Sequence, residues 1–176
     1  MAVSDNAVII RAYEDTDHAQ VRDLFIRINR ELAPANMREQ FEEYISTAIN
    51  GELSQLRGVF SETKRNAFWV VETNGQIIGM LGIESRDHAS TELRRMYLDR
   101  RYRGRGIAQR MLQCAEMRAR KLGFSKLILS TAEVQQAAIS FYRKSGYTLV
   151  KSELADTMST KTVGGGLTRF HFEKVL

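Results

Sequence analysis

Two apolar runs, residues 67–72 and 76–83, flank the pair Asn74-Gly75. Asn and Gly tolerate positive φ, so the pair predicts a tight hairpin with two antiparallel strands. A polar connection at 86–90 leads to a third strand-like run, 91–98. Then comes Arg103-Gly104-Arg105-Gly106-Ile107-Ala108, and from Ile107 to about residue 122 the apolar spacing is helical. A hairpin, a third strand and then a helical crossover exclude the strict alternation of a doubly wound nucleotide fold.

The rest of the chain extends this pattern. Residues 8–13 read as a first strand. Residues 15–32 read as an amphipathic helix carrying Val21, Leu24, Phe25 and Ile28 on one face, with Asp15 and Asp17 at its start. Pro34, the only proline, interrupts, and 36–49 predicts a second helix with the stripe Met37, Phe41, Tyr44, Ile45 and Ala48, stopped by Gly51. Residues 52–66 are ambiguous. After the crossover helix come a short strand at 126–130, a helix at 134–145 stopped by Gly146, and strands at 147–150 and 169–175. The segment 155–166 ends in Gly164, Gly165 and Gly166 and reads as a flexible loop. The predicted order is β-α-α-β-β-β-α-β-α-β-β: a mixed α/β single domain over 1–176, with about seven strands and about four helices.

The turn 103–108 has the make-up of an anion cradle. The first N–H groups of a helix have no partner within it, and the helix dipole favours negative charge there. Gly104 and Gly106 clear the approach to the backbone, and Arg101, Arg103 and Arg105 add charge. Taken alone, the hexapeptide is equally a pyrophosphate-binding loop or a basic turn joining strand to helix. It is not the dinucleotide fingerprint, because Gln109 replaces the third glycine, and no P-loop is present.

A formal net charge of +5 favours anionic partners without choosing among them. A single cysteine, Cys114, allows no internal disulfide and fits a reducing compartment. Neither a secretory signal nor an apolar run of transmembrane length is seen, so the reading is cytoplasmic, with no membrane partner. Three scattered histidines and one cysteine give no zinc spacing, so no metal is expected.

Three segments together resemble one family. They are Glu92-Leu93-Arg94-Arg95-Met96-Tyr97-Leu98, the turn 103–108, and Ala138-Ile139-Ser140-Phe141-Tyr142-Arg143-Lys144-Ser145-Gly146-Tyr147. They are similar to the core of the GNAT-superfamily N-acetyltransferases. The family's acetyl-CoA signature, Gln/Arg-x-x-Gly-x-Gly/Ala, falls on Arg103, Gly106 and Ala108. A second register, on Arg101, Gly104 and Gly106, also fits the letters. The first makes Ile107 the first core-facing helical residue and is preferred. Gln135 stands where the family often has Asn, as in a subset that includes cysteine-conjugate acetyltransferases of animals.

The resemblance implies a GNAT-like sheet, mixed but mostly antiparallel, and acetyl-CoA as co-substrate. It implies acetyl transfer to a primary amine of a small molecule or peptide, and it is compatible with a homodimer. Met96, Tyr97 and Leu98 would meet the pantetheine arm through their backbone. Gly104, Arg105 and Ile107 join Arg103, Gly106 and Ala108 around the pyrophosphate, with Gln135 near the arm.

Tyr142 is the implied general acid, since a phenol of pKa ~10 can protonate a thiolate whose conjugate acid lies near ~8.5. For the base, Glu92 is chosen over Glu84 and Glu133; the last is otherwise spaced to close a capping box with Ser130. Cys114, Trp69 and Phe68 read as core, and His18 and His88 as surface. Some of Asn29, Arg30, Glu31, Asn36 and Arg38 are expected to face the acceptor.

Two alternatives stay open. One is an acyl-CoA-binding sensor without catalysis. The other is a nucleic-acid-binding module using Arg94, Arg95, Arg100, Arg101, Arg103, Arg105 and Arg110; only Tyr97 and Tyr102 interleave there, so no nucleic-acid partner is expected.

Overall fold

The computed structural model describes residues 7–176. β1 (Ile9–Ala12) leads into α1 (His18–Leu32) and α2 (Arg38–Asn50), and the ambiguous segment holds a one-turn helix, α3 (Leu56–Val59), between short 3-10 turns. β2 (Ala67–Thr73), β3 (Gln76–Ser85) and β4 (Ser90–Leu98) form the predicted meander. α4 (Ile107–Lys121) crosses to β5 (Lys126–Ala132); α5 (Gln136–Lys144), β6 (Thr148–Ala155) and β7 (Leu167–Val175) follow. The strands form one sheet in the order β1-β2-β3-β4-β5-β7-β6. Only β4 and β5 are parallel neighbours.

Each face of the sheet has its own core. On one, α1 buries Val21, Leu24, Phe25 and Ile28, and α2 buries Phe41, Tyr44, Ile45 and Ala48, against Phe68, Val70 and Met80. On the other, Ile107, Met111, Leu112, Ala115 and Ala119 of α4 and Ile139 and Tyr142 of α5 cover Ile78, Leu81, Leu127 and Leu129. Two apolar helix stripes thus sandwich one sheet, as their spacing requires.

Three predicted boundaries need correction. β6 starts at Thr148 and runs to Ala155, well past residue 150. It is an edge strand, exposed along nearly its whole length, so Lys151, Ser152 and Glu153 show no apolar alternation. Tyr147 is buried instead of strand-borne, its hydroxyl donating to Glu116 Oε1 at 3.0 Å. α5 begins at Gln136 because Glu133 is tied to β7: its N–H donates to the Thr168 carbonyl at 2.8 Å, and its carboxylate accepts the Thr168 N–H at 2.7 Å. That bond also replaces the capping box with Ser130.

The glycine triplet is not a flexible default either. Gly164, Gly165 and Gly166 have φ of 72°, 68° and 76°, and a Cβ on Gly164 would meet Met158 N at 2.8 Å. The loop before β7 therefore packs down, with Val163 buried in the α1–α2 core and Met158 against it.

Candidate active site

β4 and β5 are joined by three pairs only: Ser90–Lys126, Thr91–Leu127 and Glu92–Ile128. Beyond these, β4 stays with β3 as far as Leu98 and β5 stays with β7 as far as Ala132. The two strands part there, leaving an open cleft between them. Its walls include Glu92 to Tyr97 of β4, Leu129 to Ala132 of β5, Gln135, and Tyr142 of α5.

β4 is also bulged inside this cleft. Met80 pairs with Tyr97 and Gly82 with Arg94, so one residue of β3 faces Arg95 and Met96. Arg95 takes φ of 54°, rare for a residue with a Cβ. Its side chain holds it there: Nη1 donates to Tyr44 Oη at 2.7 Å, Nε to Glu52 Oε1 at 3.0 Å, and Nη2 to the Thr160 carbonyl. The guanidinium also lies 5.1 Å from the Phe25 ring centroid.

Tyr142 points its hydroxyl at this bulge, 3.7 Å from Met96 Sδ. Burial pushes the phenol well above its ordinary pKa. It is therefore a proton donor throughout the neutral range. Gln135 caps the floor; its Oε1 accepts from Thr131 Oγ1 at 2.8 Å.

Just past β4, Gly104 and Gly106 both have φ of 74°, and a Cβ at either would find nothing within 4 Å. Backbone conformation, not packing, calls for glycine here, and the ground over the turn is clear. Gly106 is the N-cap of α4 and offers no side-chain cap, so the first N–H groups of the helix face outward. Ile107 is the first buried residue of α4, as the preferred register requires.

Arg101 is spent on Asp99, donating from Nη2 to Oδ2 at 2.8 Å and holding that carboxyl down at about 2. Arg103 donates to the Leu98 carbonyl at 3.1 Å, and Arg105 lies over Tyr102; neither forms an ion pair among the described residues. Ala108 is half-buried behind them against the α4 core. The arginines do not make one surface patch, because Arg94 and Arg95 are buried and ion-paired.

Side chains from β3, β4 and three connections meet on the α1–α2 side of the cleft. Glu92 accepts from Arg86 and stands 3.5 Å from Lys161 Nζ. Glu84 accepts from Arg94 and is 3.6 Å from Lys161. Glu52, its side chain 8% exposed, takes Arg94 at 2.6 Å and Arg95 at 3.0 Å. Burial, reinforced by Arg94, pulls the Lys161 ammonium down to about 8. Of the helix residues expected near the acceptor, Asn29 lines the cleft, whereas Arg30 is paired to Glu42 and Glu31 to Arg27 outside it.

Sequence reasoning missed Tyr44 as more than core, and missed Glu52, Lys161 and Arg169 altogether. The only local signal was the charge of Lys161 just before three glycines. Among the described residues there is no cluster with metal-ligand make-up and no helix long and apolar enough to cross a membrane.

The family model described as "Acetyltransferase (GNAT) family" matches residues 18–147. N-acetylaspartate synthetase of Danio rerio is 29% identical over 111 residues, covering 62% of this chain and 39% of that protein. N-acetyltransferase 8 of Rattus norvegicus is 25% identical over 126 residues, covering 69% and 57%. The chain thus spans only about half the length of such relatives. Among solved structures, the PaiA N-acetyltransferase of Thermoplasma acidophilum, in complex with coenzyme A, superposes with a TM-score of 0.76 at 21% identity over 97% of this chain and 99% of that one. An acetyltransferase of Streptococcus agalactiae gives 0.76 at 18% identity over 96% and 98%.

Proposed function

The chain belongs to the acetyltransferase (GNAT) family, and from that premise we propose that it transfers an acetyl group from acetyl-CoA to a primary amine of a small molecule or peptide. One observation carries the reading. An anion-ready glycine turn follows directly on β4, whose edge beyond Glu92 is left by β5, and a buried phenol meets that strand at Met96. A carrier with phosphates at one end, amides along its length and a thioester at the other matches that sequence of surfaces.

In this reading the backbone of 104–108, with Arg103 and Arg105, holds the pyrophosphate. Beyond Glu92, Met96, Tyr97 and Leu98 lie on the edge of β4 that β5 has left, and their backbone groups meet the amides of the arm. Gln135 offers its amide from the opposite wall. The acceptor nitrogen attacks the thioester carbonyl carbon, and the carbon–sulfur bond breaks. Tyr142 gives its hydroxyl proton to the departing sulfur. Glu92, paired with Arg86 and Lys161, takes the proton that the amine loses. Burial raises the phenol and so keeps it protonated, a hydrogen-bond donor in place as negative charge builds on the sulfur.

A CoA-binding sensor would share the turn but would have no use for the Tyr142 hydroxyl. The test is free-thiol release from acetyl-CoA against a panel of amines, amino acids and peptides. Release that depends on one acceptor class supports the proposal. Saturable acetyl-CoA binding without release from any acceptor favours the sensor, and neither binding nor release removes the cofactor assignment.

A further inference from the structure

The acceptor side of the cleft holds more cations than its own carboxylates neutralise. Arg86, Arg94, Arg95, Lys161 and Arg169 stand against Glu52, Glu84 and Glu92. Glu52 is taken by Arg94 and Arg95, Glu84 by Arg94 and Lys161, and Glu92 by Arg86 and Lys161. Arg169 is left out of every pair. Its Nη2 donates to Ser130 Oγ at 2.7 Å, and among the described residues its guanidinium has no other hydrogen bond and no ion pair. Guanidinium offers five donors in a rigid fork, so most of its capacity is unused.

The side chain is also well placed. Arg169 lies on β7 opposite Ala132, on the arm of the cleft that faces β4 across the opening. Alternation along β7 puts it on the same sheet face as Leu167, in the α1–α2 core, and opposite Phe172, in the α4–α5 core. The glycine turn opens the helix α4 on the other face. Arg169 therefore stands apart from the place where the carrier's phosphates are held. Burial already disfavours its charged form, and a guanidinium does not give up its proton under ordinary conditions. Its remaining N–H groups are open to solvent, so a ligand anion can take them in exchange for water.

We infer that Arg169, seated by Ser130, grips a carboxylate of the acceptor, so that the substrates are amines carrying a carboxylate, as amino acids do. The inference rests on the acetyl-transfer reading above. The planar fork suits the two oxygens of a carboxylate. The surplus charge around it repels acceptors with a second cation, which separates this class from polyamines.

Matched pairs test it: glycine, β-alanine, aspartate and phenylalanine, each against its carboxamide, with thiol release followed at saturating acetyl-CoA. Amides of α-amino acids have the less basic amine, so amine ionisation favours them and works against the inference. The expected result is a kcat/KM about tenfold or more higher for at least one acid than for its amide. Arg169→Met should raise KM for that acid by about the same factor while KM for acetyl-CoA stays within about twofold, and Arg169→Lys should recover part of the loss. Equal rates for acids and amides would overturn the inference and leave acetyl transfer standing. A rise in the acetyl-CoA KM of Arg169→Met would overturn it by assigning the guanidinium to the carrier. Release from none of the pairs, with release from simple amines, would also overturn it; release from nothing would remove the underlying reading as well. If Arg169→Met does not fold, the wild-type panel alone decides.

Discussion

The glycine turn and the acceptor side of the cleft both put a residue in the left-handed region, but they get there by opposite means. At Gly104 and Gly106 the conformation comes without a Cβ, and nothing nearby requires the space. At Arg95 a full side chain is forced into it and kept there by Tyr44, Glu52 and Thr160. The turn is six consecutive residues and works through its backbone. The acceptor side is gathered from α2, β3, β4, β7 and three connections, and works through side chains. A local device can be altered one property at a time; an assembled one fails as a unit.

Tyr142, where the two regions meet, should show the largest effect. Tyr142→Phe keeps the ring and removes the donor, so kcat should fall by about 100-fold or more while acetyl-CoA affinity holds within about twofold. Because burial raises the phenol, the wild-type rate should show no descending limb from this group up to pH ~10. A kcat within a few-fold of wild type would remove the hydroxyl from the chemistry.

Arg95→Gly puts the contrast most directly. If backbone strain governed the bulge, glycine would stabilise the protein. We expect a loss of about 3 kcal/mol in denaturant unfolding, because Tyr44 loses its partner and the largely shielded Glu52 loses one of its two. Gly106→Ala should cost less, about 1–2 kcal/mol, since the new methyl meets open space and only the dihedral is unfavourable. Its acetyl-CoA Kd should still rise by about tenfold in calorimetry, a change that Arg95→Gly need not share.

The smallest effect concerns Lys161. Its pKa in the fold, about 8, lies below the ordinary 10.5, so the charged ammonium is disfavoured by folding. That penalty is fully present below pH 8 and fades as pH rises towards 10.5. Lys161→Met should therefore stabilise slightly at pH 7, by less than about 1 kcal/mol because the side chain is partly solvated, and the gain should vanish by pH ~10.5. A loss at pH 7 that fades as pH rises would mean the ion pairs to Glu84 and Glu92 outweigh burial.

The same contrast explains what the sequence made legible. The hairpin at Asn74-Gly75, the glycine turn and the helix stripes are local signals, and each fell where its residues indicated. Tyr142 was singled out by the resemblance to a family motif; on its own, a helical tyrosine beside Phe141 reads as core. Glu52 sits in a segment with no clear periodicity, and Arg169 in an ordinary strand; only the closing of β7 onto β5 brings Arg169 to the cleft. The end of the β4–β5 ladder at Glu92 leaves no trace in the letters, because a strand reads alike whether its neighbour stays or departs. The Arg95 bulge is equally silent, since its support lies in α2 and the loop before β7.

The short seam between β4 and β5 has a mechanical consequence. Three residue pairs join a four-stranded half-sheet to a three-stranded one, a short seam that α4 spans on one face. Beyond the seam β4 continues from Leu93 to Leu98, an arm of about 20 Å at ~3.3 Å per residue. On such an arm each degree of rotation moves the tip by ~0.3 Å, and about five degrees opens the mouth by nearly 2 Å. Small adjustments at Ser90, Thr91 and Glu92 are thereby geared up at the far end, and the spread of the jaws is governed from the vertex.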